Sequence, residues 1–343
     1  MEKVRWGLVG YGEQVKKRML PALKELEEVE VRAICCSSPE QTKDIEKEQN
    51  VTCYSKLTEF LENPEIDVVY IATPHYLHVP QAFKAIEAGK NVLVEKPMAL
   101  SVDGANKIIE TARKRGVRMG VNFPLRHHPG LQELRKQIQA ESLGEPVEVY
   151  IHLNRRHYQG EGWWRDQFHA GPMALMDLGV QGIDLLLWLV GERAVEVVSL
   201  GRGGKDDESL NIAISVSINF ENGTQGLVFS SNLARGDSSL IIAQGTEKQV
   251  LVEMNWPEGD GRFHFRWREE EQMKEEEYPS YNLYKLTAQS FSQAVLGKEN
   301  YSPCGEDAFP VVEACCCAIE SLKSQKLVKV GEILRVTGAR YKE

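Results

Sequence analysis

The feature that most constrains this chain is a regular alternation over its first third. Short apolar runs at Val4–Gly12, Val29–Cys36, Val51–Tyr54, Asp67–Ala72, Asn91–Val94 and Val117–Asn122 have the length and composition of strands. Helical patterns separate them, such as Met19, Leu20, Ala22, Leu23 and Leu26, or the stretch Val102–Lys114. A strand that reaches the next strand through a helix must run parallel to it, because a hairpin has no room for the crossover. Residues 1–122 therefore specify an α/β Rossmann domain, a doubly wound parallel sheet with helices on both faces.

In such a sheet, ligands bind at the carboxyl ends of the strands. The first strand ends at Gly10-Tyr-Gly12 and a helix follows. Gly10 permits the tight turn, Gly12 lets backbone approach a pyrophosphate, and Glu13 and Gln14 open a helix whose N-terminus faces the phosphates. Val15 stands at the third fingerprint position, where Gly or Ala is usual. The second strand ends at Cys36-Ser37-Ser38-Pro39, without the acidic residue that commonly holds the ribose hydroxyls of NAD. Ser37 and Ser38, with Lys16, Lys17 and Arg18 nearby in sequence, suit a 2′-phosphate, so NADP is favoured over NAD. The alternative is that both serines cap the next helix. Two further strand ends carry Thr73-Pro74 with His78, and Glu95-Lys96-Pro97. Pro97 cannot donate to a ladder and stops its strand. A Glu-Lys pair is thereby delivered to a ligand-binding edge.

After Asn122 the pattern changes. Pro124, Pro129 and Gly130 break the chain, and closely spaced runs follow from Val147 to Arg266, with turns such as Glu221-Asn-Gly-Thr224. These read as an antiparallel sheet, interrupted by one long helix at about Pro172–Val190. Residues 123–343 are thus expected to form an α+β domain for substrate binding and oligomerisation. A helix at about 305–324 is expected to pack back near the Rossmann domain. An open sheet needs cover, which points to a homodimer or homotetramer through that sheet. On the long helix, Asp177, Gln181 and Asp184 recur at i, i+4 and i+7, a polar stripe on an apolar helix. Such a stripe needs partners or a ligand, and the ligand reading makes it a substrate cleft facing Lys96.

Composition removes several classes. The net charge is −9 with no basic stripe, against a nucleic-acid partner. No apolar run approaches the roughly 18 residues of a membrane span. Met1-Glu-Lys-Val-Arg leads into a strand without a secretory hydrophobic region, so a cytoplasmic protein is expected. Seven cysteines include no Cys-x-x-Cys, and no helix carries paired metal-ligand spacing, so no metal is expected. Cys315–Cys317 read as small core residues, and the charged run Arg268–Glu277 as a solvated turn or edge.

Together these motifs resemble the GFO/IDH/MocA oxidoreductase family over nearly the whole chain. The resemblance rests on Gly10-x-Gly12, Ala72-Thr-Pro-x-x-x-His78, and Gly89-Lys-x-Val-x-x-Glu95-Lys96-Pro97. It also rests on Trp164-Arg165 ahead of Asp177-Leu-Gly179, on Asn222-Gly223, and on Gly245-Thr246. It implies an NAD(P)-binding Rossmann domain and an α+β domain carrying the substrate cleft, acting on sugars, polyols or inositols. The family's catalytic lysine falls on Lys96 and its helix aspartate on Asp177. Cofactor contacts are expected from Gly10, Gly12, Glu13, Gln14, Ser37, Ser38, Thr73, Pro74, His78, Glu95 and Lys96. Substrate contacts are expected from Asn122, Arg126, Tyr158, Trp164, Arg165, Asp177 and Gln181.

The sequence departs from the family at two places. Pro172 interrupts the usual glycine run, and Gln181 stands where the family commonly has an acid/base histidine. An amide does not exchange a proton near neutral pH, whereas imidazole does. Lys96 then becomes the main proton-carrying or polarising group, with Asp177 and Gln181 beside it. His157, Tyr158 and His169 are substitute donors. Three readings follow: an NAD(P)-dependent dehydrogenase or reductase acting on CH–OH groups, a non-catalytic NAD(P)-binding sensor, and a redox-neutral, NAD-dependent glycoside-cleaving enzyme.

Overall fold

The structure is a computed structural model that describes residues 3–155, 163, 171–202, 213–232, 239–256 and 261–333. The chain divides into two compact units, Met1–Pro124 with Asn282–Phe309, and Leu125–Tyr281 with Pro310–Glu343.

The first unit holds β1 (Val4–Val9), β2 (Val29–Cys35), β3 (Thr52–Tyr54), β4 (Val68–Ile71), β5 (Asn91–Glu95) and β6 (Met119–Asn122). They form one parallel sheet in the order β3-β2-β1-β4-β5-β6. The chain moves outward from β1 to β3 and then restarts at β4 on the other side of β1. Between β1 and β4 the winding reverses, which opens a crevice at their carboxyl ends. All four residues of β4 are buried, as a strand covered on both faces requires. Helix Val102–Arg115 starts on Ser101, whose hydroxyl accepts the Gly104 N–H at 3.1 Å, and stops at Gly116 with φ 66°. The segment from Asn282 returns to this unit through helix Leu283–Val295. There Trp6 Nε1 donates to Ser292 Oγ at 3.1 Å, and the Phe291 ring meets Trp6 edge-on.

The second unit holds β7 (Pro146–Asn154), β8 (Ala194–Arg202), β9 (Ala213–Phe220), β10 (Gln225–Ser231), β11 (Ser239–Gly245), β12 (Lys248–Met254), β13 (Phe263–Glu269), β14 (Gln272–Tyr278) and β15 (Val328–Lys329). The sheet order is β14-β13-β12-β11-β7-β10-β9-β8-β15. The sheet is mostly antiparallel, as expected, with one parallel pair: β7 and β10 run in the same direction, from Glu148↔Gln225 to Asn154↔Ser231. Between them in sequence lie a helix and the β8–β9 hairpin, long enough for the crossover a parallel pair demands. The carboxyl ends of β7 and β10 therefore lie side by side. Ile151, Leu153 and Val228 pack against helix Val180–Val190 at Gly182. The charged run around Glu270 forms the turn between β13 and β14, and β14 lies at the edge of the sheet with mostly exposed side chains. A charged edge discourages strand-to-strand association. Cys315, Cys316 and Cys317 are buried on helix Gly305–Ser324. No helix among the described residues is long and apolar enough to cross a membrane.

The adjacent histidines His127 and His128 of the second unit are expected to make its stability pH-dependent, and His128 is the more deeply enclosed of the two. The His128 ring is fully buried, stacks on Phe263 at 3.9 Å, and neither of its nitrogens has a hydrogen-bond partner among the described residues. Burial pushes its pKa down to about 4 from 6.5. Below the unfolded value, the unfolded chain takes up the proton while the native chain resists it. Stability is therefore complete above pH 6.5 and falls as pH drops from 6.5 towards 4. The loss reaches about 3 kcal/mol for a shift of this size. Thermal melts across that window should show the decline, and His128→Phe should make it shallower, with His127, which burial also pushes down to about 4, supplying part of what remains. An equal slope in the variant would mean that this ring is not responsible.

Candidate functional site

At the carboxyl end of β1, Gly10 adopts φ 95° and donates its N–H to Cys35 O at 2.8 Å. A Cβ there would lie 2.5 Å from the Ala72 carbonyl oxygen, so only glycine fits the turn. At Gly12 a Cβ would meet nothing within 4 Å, so the backbone is open towards a ligand. The helix begins at Glu13, and its first N–H groups have no intrahelical acceptors. Val15 is fully buried, and the stretch Val15–Met19 is π-helical, closed by Leu20 N donating to Val15 O. A π turn is rare and often sits at a functional site.

Glu95 ends β5 and is only 6% exposed. Its Oε1 accepts from Gln14 Nε2 at 2.9 Å, from Asn122 Nδ2 at 2.6 Å, and from the Tyr70 hydroxyl. Burial, and next the nearby Glu95 carboxylate, push the Tyr70 phenol well above its ordinary pKa, so it remains a donor. Lys96 follows directly and is joined to Pro97 by a cis peptide. His78 is almost fully buried and uses both ring nitrogens on backbone: Nδ1 lies 2.8 Å from Pro97 O and Nε2 2.9 Å from Thr73 O. Burial pulls its pKa down while the two carbonyls pull it up. The ring ties the turn after β4 to the turn after β5. Thr73 Oγ1 donates to Gln81 Oε1 at 2.6 Å, and Pro74 precedes the short turn His75–Leu77.

At the end of β2, Ser38 caps helix Pro39–Gln49 by accepting the Gln41 N–H at 3.4 Å, whereas Ser37 is exposed. No acidic side chain stands at either position. Lys17 pairs with Glu13, and Lys16 lies over the Tyr11 ring at 4.9 Å.

In the second unit, the polar stripe resolves into separate partnerships. Arg126 Nε lies 3.1 Å from each Asp184 oxygen, and its Nη2 lies 2.6 Å from Oδ1, with both side chains buried. The Arg126 guanidinium is committed to this ion pair. Asp177 takes Arg155, which follows the end of β7. The Arg155 N–H donates to Ser231 O at 3.0 Å, which fixes the pair against the end of β10. The helix opens with the π-helical stretch Ala174–Gly179, held to β10 by Ser230 Oγ donating to Ala174 O at 2.7 Å. Gln181 is 7% exposed, and its amide makes no hydrogen bond among the described residues. Tyr158, Trp164 and Arg165, with His157 and His169, lie outside the described residues.

Sequence reading did not find Tyr70, Tyr284 or Arg155. Tyr70 sits inside an apolar strand and looks like core. Tyr284 and Arg155 acquire their roles only through contacts distant in sequence, 270 residues from Gln14 and 22 from Asp177.

A glycine turn at the switch point of a parallel sheet, open at Gly12 and followed by a helix N-terminus, is a dinucleotide-binding site of the Rossmann class. Residues 4–123 match the model of an oxidoreductase family with an NAD-binding Rossmann fold. Residues 131–251 match the GFO/IDH/MocA C-terminal domain. The chain belongs to the GFO/IDH/MocA oxidoreductase family. It is 25% identical to 1,5-anhydro-D-fructose reductase of Ensifer adhaerens over 309 residues, 88% of this chain and 91% of that protein. It is 28% identical to a scyllo-inositol 2-dehydrogenase (NADP(+)) of Bacillus subtilis over 191 residues, 56% of this chain and 53% of that one. Its fold matches that of KijD10, a 3-ketoreductase of Actinomadura kijaniata solved with NADP and TDP-benzene. The TM-score is 0.84 at 21% identity, covering 94% of this chain and 98% of that one.

Proposed function

We propose that this protein transfers a hydride between NADP or NAD and a CH–OH group of a sugar, polyol or inositol-like substrate, with Lys96 handling the proton. The observation that carries this is the Glu95 carboxylate, held by Gln14, Tyr70 and Asn122 at the end of β5, directly before Lys96. A buried carboxylate with three donors on one oxygen fixes the backbone from which Lys96 projects.

A bound nicotinamide supplies or accepts the hydride. Gly10, Gly12 and the helix N-terminus at Glu13 would hold its pyrophosphate, and Thr73 and Pro74 border the same strand-end edge. In the oxidation direction the substrate carbon loses a hydride and its hydroxyl oxygen loses a proton. Lys96 takes that proton as an amine, or returns it as an ammonium in reduction. Gln181 donates or accepts a hydrogen bond without exchanging a proton. Asp177, paired with Arg155, would hold Lys96 or the substrate hydroxyl. The missing acid at the end of β2 and the exposed Ser37, with Lys16, Lys17 and Arg18 near the glycine turn in sequence, support NADP over NAD.

Titration of the protein with NADPH and NADH by nicotinamide fluorescence tests the first half of this reading, with NADPH expected to bind tighter. Equal or weaker NADPH binding removes the role given to Ser37. Turnover of external cofactor with a panel of sugars and inositols tests the second half. An amide at position 181, which does not exchange a proton near neutral pH, favours one competing reading, a sensor that binds cofactor and sugar without turnover. Binding without turnover across a broad panel would select it. Product formation with no net cofactor change would select the redox-neutral reading.

We also propose self-association through the second sheet. On the face opposite helix Val180–Val190, the register aligns Leu251, Ile242, Tyr150 and Leu227 across four strands. None of the four is buried, and Leu227 is 40% exposed. A second copy of this face would bury them. A monomer by sedimentation at micromolar concentration would overturn this.

A further inference from the structure

We propose that Gln14 is a pin between the glycine loop and the strand end that carries Lys96, anchored from outside by Tyr284. This rests on the cofactor reading above for the loop's ligand, but not for the pin itself. Gln14 sits in the first turn of the helix that follows Gly12. Its amide nitrogen donates at 2.9 Å to Glu95 Oε1 and at 2.6 Å to the Tyr284 hydroxyl. A primary amide has two protons, and both are used within the protein. Gln14 therefore acts by position, not by donating to a phosphate.

Glu95 Oε1 is the common acceptor. Tyr70 reaches it from β4 and Asn122 from β6, so the ends of three adjacent strands close on one oxygen. Gln14 adds the loop after β1 to that set. Tyr284, on helix Leu283–Val295, adds a segment 270 residues away in sequence. The donors are neutral and the acceptor is a buried carboxylate, an arrangement stronger than a neutral pair. Removing the Gln14 amide deletes the hydrogen bonds that join the glycine loop to the strand end and to Tyr284, while Tyr70 and Asn122 still hold Glu95. The loop and the Lys96 turn are thus predicted to stiffen or loosen together.

Gln14→Leu keeps the volume and deletes both bonds, and Tyr284→Phe deletes the outer one and leaves the Gln14–Glu95 bond in place. NADPH affinity by fluorescence should fall about tenfold for Gln14→Leu, the scale of one hydrogen bond to a charged group. It should fall about threefold for Tyr284→Phe, and the double variant should be no weaker than Gln14→Leu alone. Hydrogen–deuterium exchange on the cofactor-free protein supplies a readout independent of ligand. The peptide covering Asn91 to Ala99 should exchange faster in Gln14→Leu and, by a smaller factor, in Tyr284→Phe. Fold-changes that multiply in the double variant, or wild-type exchange at this peptide in both single variants, would overturn the pin. Should Gln14→Leu not fold, Tyr284→Phe decides by the same two readouts. If the wild-type protein binds neither NADPH nor NADH, the cofactor reading falls, and the exchange experiment alone decides the pin.

Discussion

Lys96→Met is expected to reduce turnover by about 10²–10⁴-fold, the usual contribution of a positioned acid or base, while NADPH affinity stays within a few-fold of wild type. Methionine keeps the length and apolar stem of lysine and removes the ammonium. On the proposed reading the substrate hydroxyl then loses its main proton carrier, because the helix position four residues after Asp177 holds Gln181 and an amide does not exchange protons near neutral pH. The measurement is a steady-state assay by nicotinamide absorbance beside a fluorescence titration of the same sample. Near wild-type turnover would remove Lys96 from the proton path. Gln181→His is the complementary arm, since it introduces an imidazole at the position where the family commonly carries one. It should raise turnover or broaden the substrate panel, and an unchanged panel would count against the reading of Gln181 as the limiting residue.

The largest stability effect is expected at Arg126. Its guanidinium is buried against Asp184 through three close N···O contacts between 2.6 and 3.1 Å. Arg126→Met strips Asp184 of that cation, and removing one member of a buried pair typically costs about 3–5 kcal/mol. Replacing both members, as Arg126→Met with Asp184→Leu, leaves no buried charge. It should recover most of the loss, because the pair itself repays little beyond its own desolvation. Urea unfolding of the two single variants and the double gives the coupling directly. Additive losses would show that the two residues do not act as a pair. This prediction also separates two roles for Arg126. A structural strut shows its loss in the unfolding midpoint, whereas a direct substrate contact shows it in KM with stability retained.

The first unit was legible because its signals are local. Strand length, helical period and the Gly10-x-Gly12 turn are each written within about a dozen residues, and each depends on neighbours along the chain. Glu95-Lys96-Pro97 was legible for the same reason, since Pro97 stops the strand that precedes it. The acceptor role of Glu95 was not. Its donors come from Gln14, Tyr70 and Asn122 on three other segments, and a tyrosine inside an apolar strand carries no sign that its hydroxyl is used. The Asp177, Gln181 and Asp184 stripe was visible as spacing, yet spacing does not say which member finds a cation. Arg126 claims Asp184 from 58 residues away and Arg155 claims Asp177 from 22, which leaves Gln181 as the member without a protein partner among the described residues.

By itself, the sequence determined the Rossmann half, the oxidoreductase family, the strand-end positions of Gly10, Gly12 and Lys96, and an amide rather than an imidazole at position 181. These follow from backbone rules and residue chemistry that act at short range. Only the tertiary structure decided the parallel pairing of β7 with β10, the return of Asn282–Phe309 to the first unit, and the convergence of donors on Glu95. Those depend on which distant segments close on one another. Burial makes that choice, because a carboxylate or guanidinium removed from water must find its partner wherever the fold brings one.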